Sequence, residues 1–138
     1  MKKIVLCLVI ILGLLTVTAC GNTAKEPAKE TQSYTSIVIS DVDKDTRWEA
    51  ITKYDITLEF KDGKCDSENY RLEFVKESNA LVYSIEMEGK SYIEDYKQEG
   101  NVVTYKCTGT NNEFYNLTFD EAYDAATKLY SKATITKE

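Results

Sequence analysis

The sequence predicts an α+β domain, an antiparallel β-meander of five to six strands packed against one C-terminal helix. Three observations predict it. Apolar and polar residues alternate with period two from about Arg47 to Lys61. Turn signals recur at Asp62-Gly63, Gly89 and Gly100. A capping box, Thr118 with Glu121, opens a stripe of apolar residues at helical spacing.

The first strand is read from Ile37 and Ile39, which alternate with polar neighbours. In the second, Trp48, Ala50, Thr52, Tyr54, Ile56, Leu58 and Phe60 share one face, and the positions between them are mostly charged. One greasy face on an antiparallel strand means half-burial. The third strand follows Asp62-Gly63. A two-residue loop pairs Lys61 with Lys64 and sets the two apolar faces on opposite sides. A three-residue loop pairs Phe60 with Lys64, faces Tyr54 with Tyr70, and aligns them; that register is preferred, because a one-residue slip inverts a strand. Leu81, Tyr83, Ile85 and Met87 read as a fourth strand, with a helix capped by Ser78 and stopped by Gly89 as the competing reading. Ser91 to Lys97 and Asn101 to Thr108 form the last hairpin across Gln98-Glu99-Gly100, with Ile93 beside Tyr105 and Asp95 beside Val103. The helix then presents Phe119, Ala122, Tyr123, Ala126, Leu129 and Tyr130 to the sheet, and Leu117 staples onto Ala122.

The organisation along the chain is a leader at 1–19, a polar tether at 20–36 and a single globular domain at 37–138. The leader has Lys2 and Lys3, an apolar run from Ile4 to Leu15, then Val17-Thr18-Ala19-Cys20-Gly21. A basic start, a short apolar run and a small-residue cleavage site are the parts of a secretion signal. The run is shorter than the roughly 20 residues that span a bilayer. Residues 1–21 resemble the signal of bacterial lipoproteins, and Val17 to Cys20 match its lipobox. The resemblance implies lipidation of the Cys20 sulfur by diacylglyceryl transfer and cleavage between Ala19 and Cys20. It also implies a lipid-anchored location (palmitate-type acyl chains) on the extracytoplasmic face of the cell membrane. A composition rich in lysine and poor in proline further resembles the small lipoproteins of Gram-positive bacteria. Two acyl chains suffice for stable attachment, at about 0.8 kcal/mol per buried CH₂. The tether, NTAKEPAKETQSYTS, lacks the apolar surface to offset ordering entropy and reads as a flexible spacer.

Charge and composition narrow the chemistry. The net charge of −6 argues against nucleic acid, whose recognition needs clustered lysine and arginine. The chain has no histidine, which removes the commonest general base and zinc ligand. No cofactor motif is present. Asp41-Val42-Asp43-Lys44-Asp45 begins like a calcium loop, but its sixth and twelfth places hold Thr46 and Thr52 where glycine and glutamate are needed. No metal is expected there. Cys65 and Cys107 are free to bridge outside the membrane, and whether they do is open. A flat meander keeps their strands apart, with Cys65 on the polar face of its own.

Two functional readings lead, and a third is a ligand cavity between the curled sheet and the helix, which a large apolar pocket would reveal. In the leading one, the protein is a non-enzymatic binding or interaction module of the envelope, with a protein, peptide or glycan as partner. Its ligand-binding candidates are Tyr92 and Tyr96, with Glu94 on the same face, since exposed tyrosines beside an acid stack on sugars or peptides. Tyr54, Tyr70, Tyr83 and Tyr105 fall in the core pattern. In the alternative, Glu86, Glu88, Glu94, Asp95 and Glu99 supply paired carboxylates for a small envelope hydrolase, or for an inhibitor of an envelope enzyme.

Overall fold

The computed structural model describes residues 33–42 and 49–138. Ala19, Cys20, the tether to residue 32, and Asp43, Asp45 and Trp48 lie outside the described residues. The fold class expected from sequence is found. Strands β1 (Ser36–Ser40), β2 (Ile51–Lys61), β3 (Lys64–Phe74), β4 (Ile93–Glu99), β5 (Val102–Thr108) and β6 (Thr134–Lys137) form one six-stranded sheet in the order β4-β5-β3-β2-β1-β6. Every pairing is antiparallel. Helices α1 (Glu77–Met87) and α2 (Phe119–Leu129) cover one face. Among the described residues no helix is long and apolar enough to cross a membrane.

β1, β2 and β3 run as a meander. The β4–β5 hairpin then folds back so that β5 pairs with β3 and β4 becomes an edge. β6, which the sequence reading omits, pairs with β1 and forms the other edge. Ile135 sits opposite Ile39, and the Ser36 and Glu138 backbones exchange hydrogen bonds of 2.9 Å.

Both hairpins turn more tightly than expected and then recover their facing through a bulge. In β2–β3, Lys61 pairs with Lys64 across a two-residue loop. Asp62 has φ 52° and Gly63 φ 77°, the left-handed pair that suits the natural twist of two strands. The register then shifts between Phe60↔Cys65 and Glu59↔Ser67. The extra residue, Asp66, restores the shared apolar face, so Ile56 opposes Tyr70 and Tyr54 opposes Leu72. The expected alignment of faces therefore holds, but not the expected partners. In β4–β5, Glu99 pairs with Val102 and Ile93 with Cys107, and the shift falls between Glu94 and Lys97, where Asp95 has φ 50°. A third shift, at Thr52, turns Ile51 inward and Thr52 out, against the simple alternation.

The segment 77–87 is a helix, which corrects the strand reading. Its apolar residues satisfy both periods. Ala80 and Tyr83 are buried against the sheet and Met87 is partly buried, while Leu81, Val82 and Ile85 point outward. The helix starts from Lys76 without a side-chain cap, not from Ser78, and ends just before Gly89, whose φ is 77°. α2 forms as expected, with its complete capping box at Thr118 and Glu121. Ala122 and Ala126 are fully buried, but Leu129 is 57% exposed and is not part of the contact face.

The core has two lobes. Ile37, Ile39, Ile56, Leu58, Cys65 and Phe114 lie beneath α2 with Ala122 and Ala126. Ile51, Leu72, Phe74, Val103 and Cys107 lie beneath α1 with Ala80 and Tyr83. Tyr54 and Tyr70 touch both. Among the described residues no helix lies on the opposite face of the sheet.

Candidate functional site: the open face of the sheet

The helix-free face is built from residues that alternate with the core. Asp55 and Thr57 come from β2, Asn69 and Arg71 from β3, and Thr104 and Lys106 from β5. Twist across these central strands leaves a groove of about 390 Å³. Val38 of β1 closes one side, and Asp95 and Lys97 of β4 close the other. Asp95 is carried there by the β4 bulge, and bulges re-aim side chains in this way.

The groove is polar and carries both signs of charge. Lys53 Nζ is 3.1 Å from Asp55 Oδ2. Arg71 lies 3.5 Å from Glu73, and Lys106 lies 3.5 Å from Glu59. Such exposed pairs add little stability, about 0–1 kcal/mol each. Their importance is that they position charge. Burial alone would raise the Glu59 carboxyl. Asn69, Ser67 (Oγ to Oε2, 3.0 Å) and the Lys106 ammonium outweigh it and hold the group below its ordinary range. In the groove lining, Asp55 Oδ1 is shielded from solvent and accepts no hydrogen bond. A shielded carboxylate oxygen without a donor is costly, and a donor brought by a ligand would relieve that cost.

Among the described residues no aromatic ring forms a platform in this groove. Tyr70 and Tyr105, which contribute to its lining, stack on each other at 4.7 Å on the helix-covered face. The core reading of Tyr54, Tyr70, Tyr83 and Tyr105 is found: Tyr54 and Tyr70 rings lie 6.2 Å apart, and the Tyr83 and Tyr105 hydroxyls meet at 3.1 Å.

The residues singled out from sequence are dispersed. Tyr96 donates its hydroxyl to Ser84 Oγ of α1, and both Tyr92 and Tyr96 pack against the α1 lobe. Glu94 pairs with Lys106 on the open face and accepts from Thr108 Oγ1 at 2.7 Å. The β4 bulge separates Glu94 from Tyr96, so the single face expected for the three is not formed. The acidic group is also divided. Glu86 and Glu88 belong to the end of α1, Glu94 and Asp95 to the open-face side of β4, and Glu99 to the last position of β4. Among the described residues no group of three or more acidic or cysteine side chains is placed to hold a metal ion.

Cys65 and Cys107 are separate buried thiols. The Asp66 bulge turns Cys65 inward, against the expectation that it lies on the polar face, and places it in the α2 lobe. Cys107 belongs to the α1 lobe, as its parity with Val103 and Tyr105 implies. Burial pushes each thiol up to about 11.

One ionisable residue escaped sequence reading. Glu68, 1% exposed, lies on the core face of β3 between the lobes. Tyr70 donates its hydroxyl to Oε2, while Oε1 has no hydrogen bond of ordinary geometry. Burial raises its pKa, and the Tyr70 hydroxyl and the nearby backbone N–H groups of Phe114 and Glu113 only partly offset that. The signal was parity: Glu68 stands two residues before Tyr70 and four before Leu72.

Comparisons with protein-family models, curated proteins and solved structures find no match. The chain's own residues therefore carry the functional argument.

Proposed function

We propose that this protein is a non-enzymatic binding module of the bacterial cell envelope. It is anchored through lipid on Cys20 and presents the open sheet face to a polar peptide segment of an envelope partner. The anchor rests on the lipobox-like order Val17-Thr18-Ala19-Cys20 behind a short apolar run. The binding surface rests on one observation: Asp55, with its shielded Oδ1 that accepts no hydrogen bond, lines the same groove as Arg71, Lys97 and Lys106. An extended peptide offers N–H donors to Asp55 and carbonyl or carboxylate acceptors to the cations. A glycan is less well served, because among the described residues the groove has no ring on which a sugar stacks.

In-cell photo-crosslinking tests this reading. A photoreactive side chain at Thr57, on the groove floor, gives discrete adducts in the membrane fraction. Asp55→Ala or Arg71→Ala in the same chain weakens them. Absence of adducts from Thr57, or adducts indifferent to both substitutions, counts against the groove.

A further inference from the structure

α1 has two apolar faces, and the sheet uses only one. Ala80 and Tyr83 are buried beneath it. Leu81, Val82 and Ile85 stand outward at 53%, 52% and 66% exposure, and Val75, just before the helix, at 58%. Positions 81 and 82 lie four and three residues before 85, so these side chains form one continuous ridge. Scattered exposed aliphatics need no explanation, but a ridge of them on a single helix marks an interaction surface.

The charges bordering the ridge identify what fits it. One helical turn from Leu81, Val82 and Ile85 lie Glu77, Glu86 and Glu88 respectively. From Glu77 to Glu88 there is no lysine or arginine. Lys76 stands at the start of the helix, and Lys90, beyond its end, lies over the Tyr92 ring at 5.9 Å. An anionic bilayer repels such a border. A second copy of this chain would oppose glutamate with glutamate. We propose that the outer face of α1 docks a protein partner through a helical segment whose apolar stripe is bordered by lysine or arginine. This is the helix-on-helix use of an amphipathic face, with charge setting the choice of partner. The surface is separate from the open-face groove, since α1 covers the opposite side of the sheet.

The test uses a synthetic amphipathic helix with a leucine stripe bordered by lysine, titrated into the globular domain with its tether. Fluorescence anisotropy reports binding, and amide chemical shifts locate it. Signals from Leu81, Val82 and Ile85 move. The double variant Val82→Ser/Ile85→Ser weakens binding about tenfold or more, as expected when two apolar contacts are lost. Glu86→Lys/Glu88→Lys weakens it too, in a salt-dependent way. These positions are solvent-facing, and an unchanged melting curve confirms that each variant is folded. Arg71→Ala, in the groove, leaves this binding unchanged. The same peptide with glutamate borders does not bind. Equal affinity for wild type and both double variants overturns the proposal. So does dimerisation in sedimentation that the serine variant abolishes, or binding to phosphatidylglycerol vesicles through the same residues. A groove that fails its crosslinking test leaves these readouts untouched.

Discussion

Replacing Glu68 by glutamine should flatten the pH dependence of stability above the ordinary carboxylate range. In the folded chain burial raises the Glu68 pKa, so the native state keeps its proton at pH values where the unfolded chain, with an ordinary value of 4.5, has lost it. The unfolded state then binds fewer protons, and unfolding free energy falls as pH rises. The contribution is fully present below the unfolded pKa, is lost progressively up to the folded pKa, and stays absent above it. Each unit of displacement is worth about 1.4 kcal/mol. A buried acceptor left without a partner costs about 1–3 kcal/mol in the same sense. At roughly 4–8 °C per kcal/mol for a domain of this size, the effect is measurable. The pH window is clean. The chain has no histidine. Burial raises the tyrosines and thiols whose shifts are resolved, so they titrate well above neutrality. Glu59 and Glu121, held low by their hydrogen bonds, lose their contributions only as pH falls through their depressed values. Urea unfolding of wild type and Glu68→Gln between pH 5 and 8 therefore isolates one group. Wild type loses stability relative to the variant as pH rises. Parallel curves, or a slope of opposite sign, refute the placement of Glu68 in the core.

Other perturbations have simple expectations. Thr118→Ala removes the hydroxyl that accepts from the Glu121 N–H, leaving only the backbone half of the capping box on α2, and should cost about 1 kcal/mol in urea unfolding; no loss would mean that the side-chain cap does not hold α2. Gly63→Ala forces a side chain into φ 77° and should cost about 1 kcal/mol, whereas a gain would show that the tight turn is not formed. Cys65 and Cys107 should resist alkylation at pH 8 in the native state and react together on unfolding, because little thiolate forms when each pKa is about 11. A mass two hydrogens light without reductant would show instead that they are bridged.

Much of the fold could be read from strand parity. The even positions from Tyr54 to Phe60 in β2 and from Glu68 to Phe74 in β3, and the odd positions of β5, do face the helices, and the Thr118–Glu121 signal sets the start of α2 where expected. What escaped reading has separate physical origins. A bulge changes parity without leaving a residue signature, so Asp66 moved Cys65 inward and Asp95 parted Tyr96 from Glu94. α1 was misread because Leu81, Tyr83, Ile85 and Met87 alternate with period two while the helix is apolar on two sides. β6 is four residues long, too short for its alternation to stand out. The groove was not legible at all. Asp55, Asn69 and Arg71 look like ordinary solvent-facing positions until the central strands bring them together.

The proposed envelope role depends most on where the mature chain begins and what it carries. Intact-mass and peptide mass spectrometry of the protein purified from membranes of its native host decides this. The expected result is a chain starting at Cys20 whose first residue bears a diacylglyceryl mass, and a Cys20→Ser form that lacks this mass and leaves the membrane fraction. A chain that retains residues 1–19, or a Cys20 without acyl mass, contradicts it.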